Sequence, residues 1–334
     1  MLQCDAPRRA RASADSTTLA TTNYPAPPPT LALPKVGGYI QMREIAQPNI
    51  VSTALLNRVR ASIEGPLPSR FSYRLLFEMQ ASAGARNPAT ASLREAIIRW
   101  NPDPFTFAAG EFKTPFSREY LIPVPQLELG DLAVVIDSLA PKYDVGVQAD
   151  YALGPYANIS AGMFNGEGAN AIANRDSVVL FIGRVTTRPL PQLALGASGT
   201  HEGGDSLRWG VDAVVQQFGA MVRAEYITRH LKGRDTSQDD FGWYLLETFR
   251  LVPRLQLVAR QEDFQRPAQG ISKRIRSDAY ATNIEIAPNR VRLMVEYLRR
   301  ITGPEAAEER LLHRAGPGAV LGRARGLVEG RRSG

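Results

Sequence analysis

Arginine and glutamate recur in this chain at alternate positions of long strand-like runs. Arg58, Arg60, Arg74, Glu78, Glu95, Arg99, Arg184, Arg223, Glu225, Arg260, Glu262, Arg292 and Glu296 all fall on the polar face of such runs. Fixed guanidinium and carboxylate groups do ionic chemistry, not bond-making. Placing that many charges in a dry interior is prohibitive unless each is paired. A sheet whose polar face meets water escapes the problem.

Other chemistries are poorly supplied. The chain has one cysteine, Cys4, so neither an intrachain disulfide framework nor a cysteine zinc site can be built from it. His201, His230 and His313 show no ligand spacing, and no metal or cofactor is expected. Ser198 lies in Gly196-Ala197-Ser198-Gly199-Thr200-His201. This superficially looks like a nucleophile motif, but it lacks the second glycine at the required spacing and no strand-to-helix elbow is expected. Gly162-Met163-Phe164-Asn165-Gly166-Glu167-Gly168 is glycine-rich without a following Lys-Ser/Thr, so phosphate-loop binding is not supported. An enzyme is therefore not expected. Of the 40 basic residues five are lysine (Lys35, Lys113, Lys142, Lys232, Lys273). With a pI near 9.7 this excess could address nucleic acid. No reading helix or aromatic RNA-binding signature accompanies it, so no nucleic-acid partner is expected.

The elements that must carry these charges are strands. In 69–82, Phe71, Tyr73, Leu75, Phe77 and Met79 oppose Ser72, Arg74, Leu76, Glu78 and Gln80, the period of two of a strand with one apolar face. About fifteen such runs recur, most near the 9–11 residues a tilted strand needs to cross hydrocarbon. They cover 36–46, 53–65, 69–82, 91–101, 103–112, 143–152, 156–165, 177–187, 191–199, 207–216, 218–229, 241–251, 254–264, 277–287 and 290–301. Run 53–65 is weaker, because Asn57 interrupts the apolar face Leu55, Val59, Ala61, Ile63. Tyr39, Trp100, Phe105, Tyr156, Phe218, Trp243 and Phe249 sit near run ends, where interfacial aromatic girdles belong.

The connections alternate in length. Short breaks at 65–68, 101–104, 153–155, 188–191, 217–219, 252–254 and 287–289 alternate with longer polar ones at 83–91, 113–142, 166–176, 200–206, 230–240 and 265–277. Hairpins with tight turns at one end and long loops at the other build an outer-membrane barrel. A soluble all-β ligand-binding module is the competing architecture; it would need a second sheet to cover the apolar face. The longest apolar runs, such as Val178-Val179-Leu180-Phe181-Ile182, fall far short of the ~20 residues of a spanning helix. Residues 1–35, with Pro25 and Pro27-Pro28-Pro29, have the composition of a disordered segment. The barrel is expected over 36–303, with an irregular tail over 304–334.

The connection 113–142 has apolar content of its own (Leu121, Ile122, Val134, Val135, Ile136, Leu139) and reads as a loop folded inward to narrow the lumen. It opens on Gly110-Glu111-Phe112-Lys113-Thr114-Pro115-Phe116-Ser117-Arg118-Glu119, which resembles the Gly-Gln-Phe-Lys-x-Pro-Phe-Ser-x-Glu signature of the phosphate-selective porin O/P family. Leu56-Asn57-Arg58-Val59-Arg60 resembles that family's arginine-rich second strand, which usually carries an Arg-Arg pair. Ala140-Pro141-Lys142-Tyr143-Asp144-Val145-Gly146-Val147-Gln148 and Phe164-Asn165-Gly166-Glu167-Gly168 are similar to two later segments. The resemblance covers roughly 36–301.

It implies an antiparallel transmembrane β-barrel of about sixteen strands in the bacterial outer membrane, often a homotrimer. Such a barrel conducts small anions such as phosphate through a basic lumen. Carried over by position, the resemblance gives Arg58, Arg60, Lys113, Ser117 and Arg118 as pore-lining, anion-binding residues. The strand pattern adds Arg74 and Arg223. Guanidinium and ammonium groups replace an anion's hydration by charge-assisted hydrogen bonds, and select anions provided no site holds them too tightly. Glu78 and Glu95 dilute the positive field, which leaves a modest anion preference or a general pore as the expectation. No period-two strand is evident after Ile301, so the last strand is expected to be missing or altered.

Overall fold

A computed structural model describes residues 33–47, 50–80, 90–171, 173–203, 206–232, 237–266, 273–288, 290–303 and 306–315. The segment expected to be disordered, up to residue 32, and the chain beyond 315 lie outside the described residues. Sixteen strands form one closed antiparallel barrel. They are β1 (Lys35–Gln47), β2 (Ile50–Pro66), β3 (Phe71–Gln80), β4 (Thr90–Trp100), β5 (Phe105–Lys113), β6 (Tyr143–Leu153), β7 (Ala157–Phe164), β8 (Leu180–Leu190), β9 (Leu193–Glu202), β10 (Ser206–Gln217), β11 (Ala220–Lys232), β12 (Ser237–Val252), β13 (Leu255–Arg266), β14 (Lys273–Ala287), β15 (Val291–Thr302) and β16 (Ala306–Ala315). Each strand pairs with its sequence neighbours, and β1 pairs with β16 to close the ring. The fifteen runs read from the pattern correspond to β1–β15. The six short breaks that lie wholly among the described residues are tight turns at one end. At one of them, Phe218 and Gly219 (φ 51° and 78°) make the two-residue link between β10 and β11.

Alternation sorts the two faces as the period predicts. On β3, Met79 is 51% exposed on the outside while Glu78, beside it, is 1% exposed inside. Two departures are β-bulges. The β1–β2 register shifts between Gln41 and Met42 and skips Asn57. Leu56, not the expected Leu55, therefore takes the outer face above the bulge, and the Asn57 amide donates to Gln41 Oε1 at 2.7 Å. The β3–β4 register shifts between Leu76 and Phe77 and skips Arg94, beside the inward Glu95.

The last strand, expected to be missing or altered, is present but lacks the alternating pattern. Strand β16 exists, hydrogen-bonded to β15 on one side and to β1 on the other. In hydrocarbon every backbone donor and acceptor must be paired, so closure fixes this strand even where Glu308-Glu309-Arg310 breaks the side-chain pattern. The expected irregular tail over 304–334 is thus a strand over 306–315. Several strands also rise above their expected ends, so that within the loops expected at 200–206, 230–240 and 265–277 residues 200–202, 206, 230–232, 237–240, 265–266 and 273–277 are strand.

The connection 114–142 carries helix α1 (Arg118–Leu121), a 3-10 turn (Val124–Gln126) and helix α2 (Val134–Leu139). It folds into the barrel. Phe116, Leu129, Val135, Ile136 and Leu139 are buried with inward residues such as Ile182, Tyr244, Leu246 and Phe264 in one apolar cluster. Part of the lumen is thus an apolar core, which explains why strands such as β8 and β12 present apolar residues on both faces. Gly110 launches the loop. Its φ is 128°, and a Cβ there would lie 1.9 Å from Ala96 O, so only glycine fits.

Candidate functional site

The loop is fastened at its root. Thr114 N donates to Lys142 O at 3.0 Å, and Thr114 Oγ1 to Pro141 O at 2.9 Å, so the two stems close on each other. Lys113 Nζ donates to Tyr120 O (2.5 Å) and Ile122 O (3.1 Å) and lies 4.8 Å over the Tyr120 ring. Ser117 is buried and caps α1, accepting from Tyr120 N at 3.2 Å. These satisfy helix-end groups that would otherwise be orphaned.

Further along, the loop is fastened to strand side chains. Glu225 on β11 accepts from Arg118 N (3.0 Å) and Glu119 N (2.5 Å). Glu262 on β13 accepts from Val134 N and Glu296 on β15 from Gly130 N, both at 2.7 Å. Gly130 has no room for a side chain, since a Cβ would sit 2.8 Å from Glu296 Oε2. Arg118 Nε donates to Asp212 on β10 at 2.5 Å. Arg223 grips Glu128 with both terminal nitrogens (3.1 and 2.7 Å) and donates from Nε to Tyr244 Oη at 3.2 Å. Arg43 grips Asp131 the same way (3.1 and 2.7 Å). Arg260 donates to Asp131 O at 2.9 Å and Arg292 to Leu127 O at 2.8 Å.

Glu119 is the centre of this net. It accepts from Ala133 N at 2.9 Å and lies 3.5 Å from Arg260 and 3.7 Å from Arg223. Burial pushes its carboxyl up to about 7, against the pull of Arg260 and Arg223; nearby Glu225 adds to the rise.

Helix α2 contacts β11, β12 and β13. Eight strands around the ring from β12 is β4, and there the wall has a different make-up. Strands β2–β4 carry Arg58, Arg60, Arg74, Arg94 and Arg99 against Glu64, Glu78 and Glu95, five cations to three carboxylates. Arg58, Arg60 and Arg94 all converge on the buried Glu78, at 3.4, 3.2 and 2.5 Å. Arg74 lies 3.2 Å from Glu95 and 3.8 Å from Glu64. Arg60 stands 5.8 Å over the Tyr39 ring and Arg94 5.8 Å over Tyr143. Along their strands these groups form a ladder: Arg99 next to the tight-turn end, then Arg74, then Arg60 with Arg94, then Arg58. The Arg74 side chain is 37% exposed and Arg58 and Arg94 are 24%, against 2% for Arg223 and Arg260. Beneath the loop, towards the tight-turn end, lies a cavity of about 770 Å³ lined by Gln41, Gln126, Glu128, Arg250, Gln256 and Arg292, among others.

The seven expected site residues thus fall into two groups. Arg58, Arg60 and Arg74 share the β2–β4 wall. Lys113, Ser117, Arg118 and Arg223 hold the loop. Arg94 escaped the sequence reading because a bulge sets it beside Glu95; two adjacent charges in an otherwise alternating run are the signal. Glu119, Glu128 and Asp131 escaped because loop residues carry no face pattern. Ser198 accepts from Arg184 at 2.6 Å, and Arg184 also pairs with Asp212 at 2.6 Å. Among the described residues no His/Cys/Asp/Glu group could hold a metal ion. No helix of the described residues is long and apolar enough to cross a membrane.

Comparison with known proteins agrees with this geometry. The sequence model for phosphate-selective porin O and P matches residues 44–234. No curated protein matches the chain. Among solved structures, in-vitro folded OmpT, an outer membrane protein of Vibrio cholerae in its trimer form, is similar with TM-score 0.64 at 13% identity. It covers 85% of this chain and 100% of that one. The outer membrane channel DcaP of Acinetobacter baumannii gives 0.62 at 11% identity, covering 85% and 97%. An anion-selective porin from Comamonas acidovorans gives 0.61 at 11%, covering 85% and 99%. At these identities the structures establish the shared fold.

Proposed function

The chain belongs to the phosphate-selective porin O and P family, and from that premise we propose a passive outer-membrane channel whose anion path runs between the inward loop and the arginines of β2–β4. One observation carries this reading: the loop is anchored to β10–β15 and β1, and on the β2–β4 wall Arg58, Arg74 and Arg94 keep side chains 24%, 37% and 24% exposed.

The path needs no chemistry. A small anion entering the narrowed lumen exchanges water for guanidinium N–H donors, first near Arg58, then Arg60 and Arg94, then Arg74 and Arg99. The ladder spreads binding over several weak positions, which lets the ion leave. Glu64, Glu78 and Glu95 share the same guanidiniums and keep each position shallow. A modest anion preference follows, with inorganic phosphate as a permeant and competing ion. Lys113, Ser117, Arg118 and Arg223 serve the path indirectly by holding the loop. Assembly as a homotrimer is part of the proposal, supported by the trimer form of the Vibrio cholerae relative.

The test is chloride current through single channels in planar bilayers with inorganic phosphate added on one side. Phosphate is expected to reduce the chloride current in a saturable way, and Arg58→Ala with Arg74→Ala to weaken that block. Chloride current indifferent to phosphate would remove phosphate as a ligand of the ladder.

A further inference from the structure

The outer wall of β13–β15 changes character on its way to the long-loop end. On β14 the outward residues run Ile286, Ile284, Thr282 and Tyr280, then Asp278, Arg276 and Arg274. On β13, Leu257 and Ala259 give way to Gln261, Asp263 and Gln265, and on β15 Tyr297 gives way to Arg299. The register aligns the changes: Gln261, Asp278 and Arg299 share one row, Asp263 and Arg276 the next with Ile301 beside them, Gln265 and Arg274 the third. By contrast Ile159, Met163, Phe181, Val185, Trp209 and Val211 keep the outside of β7–β10 apolar.

A charge facing lipid is tolerated only near the edge of the hydrocarbon. From Ile286 to Asp278 is eight positions along a tilted strand, a rise of about 20 Å, against an apolar band about 25 Å tall. Tyr280 and Tyr297 lie one row below the charges, at the level of an aromatic belt. Asp278, Arg276 and Arg274 therefore stand among the headgroups of the outer leaflet.

The charges there are unevenly matched. Asp263 accepts from Arg274 Nε (3.1 Å) and Nη2 (2.5 Å) and from Arg276 Nε (3.3 Å). One carboxylate serves two guanidiniums, whose side chains remain 45% and 58% exposed. Among the described residues Arg274 Nη1 and both terminal nitrogens of Arg276 have no hydrogen-bond partner, and Arg299 stands one row below Arg276. We propose that this patch seats the phosphate of an outer-leaflet lipid headgroup, with Arg274 and Arg276 as its donors. Surplus positive charge, outward donors and headgroup height all favour an anionic lipid. The proposal uses the membrane placement of the barrel but no part of the conduction path.

The test uses the full chain folded in detergent, incubated with phosphatidylglycerol or phosphatidylcholine, and native mass spectrometry to count retained lipid. Wild type is expected to retain phosphatidylglycerol preferentially. The double variant Arg274→Gln with Arg276→Gln should retain about thirtyfold less, from roughly 1 kcal/mol per basic residue at a headgroup surface. Asp263→Asn should raise retention, because the carboxylate no longer occupies the donors. Chloride conductance should not change in either variant, so a failure here leaves the pore reading untouched. Equal retention in wild type and double variant would overturn the proposal. So would a change in oligomer size without a change in retention, which would give the patch to a second copy of the chain. Should the double variant not fold, Asp263→Asn decides: lowered retention would make the cluster purely structural.

Discussion

Arg223 and Arg74 carry the same group in opposite circumstances. Arg223 is 2% exposed and holds Glu128 in two hydrogen bonds, while Arg74 is 37% exposed and faces Glu95 at 3.2 Å. Arg223→Ala would strand a nearly buried carboxylate, a loss of about 3–5 kcal/mol. Arg74 is itself open to water, so Arg74→Ala admits water to Glu95, whose side chain is 11% exposed, and should cost less, about 1 kcal/mol. Heating folded protein in detergent and following its gel mobility checks both: the first variant loses the folded band at much lower temperature, the second does not. Glu119 gives a pH prediction. Its carboxyl is pushed up to about 7 from an ordinary 4.5 by burial, facing Arg260, Arg223 and Glu225. The docked loop therefore favours the protonated form. This group's contribution to docking is full below pH 4.5 and is lost as pH rises towards 7. Glu119→Gln should flatten that component, so that current noise from loop motion rises less between pH 5 and pH 8 in the variant than in wild type. Identical pH dependence in the two would contradict it.

At the scale of elements, strands β1–β15 were legible because half-exposed strands advertise themselves by period two. Illegible stretches have physical causes. The top of β14 has arginines outside, Arg274 and Arg276, and inside only Ile275 before the polar Ser277, too short an apolar alternation to read as strand. β16 has three charges in a row, and pairing with β15 and β1 decides it. The inward loop was recognisable from its apolar content and from the Gly110–Glu119 motif, but not the wall it binds, since its anchors on β10–β15 lie about 100 or more residues away in sequence. Arg58, Arg60 and Arg74 were readable because alternation assigns their face; the loop-fastening part of Arg118 and Arg223 depends on contacts no spacing encodes. Gly110 tests the loop as an element. Gly110→Ala puts a Cβ 1.9 Å from Ala96 O at a φ of 128°. It should cut the yield of folded barrel in detergent refolding, with the remainder showing larger and noisier conductance. A variant with wild-type yield and conductance would mean that the loop does not need this backbone turn.

For the whole molecule, the barrel divides around its ring into a half that holds the loop and a half that keeps cations in reach of water. The proposed path needs both: the anchors would hold the loop where it narrows the lumen, and the β2–β4 arginines would give the remaining gap its sign preference. The apolar outside, with Phe77 and Met79 43% and 51% exposed, fits a wall that faces hydrocarbon. The most direct measurement of the account is the zero-current potential across a planar bilayer under a potassium chloride gradient. Wild type is expected to favour chloride. The triple variant Arg58→Ala, Arg74→Ala and Arg99→Ala should lose that preference by roughly fivefold, since an ion that meets one position at a time loses about 1 kcal/mol, the worth of one charge at 4 Å in water. A potential that is the same in wild type and triple variant, or a wild type that prefers potassium, would contradict the placement of the anion path along β2–β4.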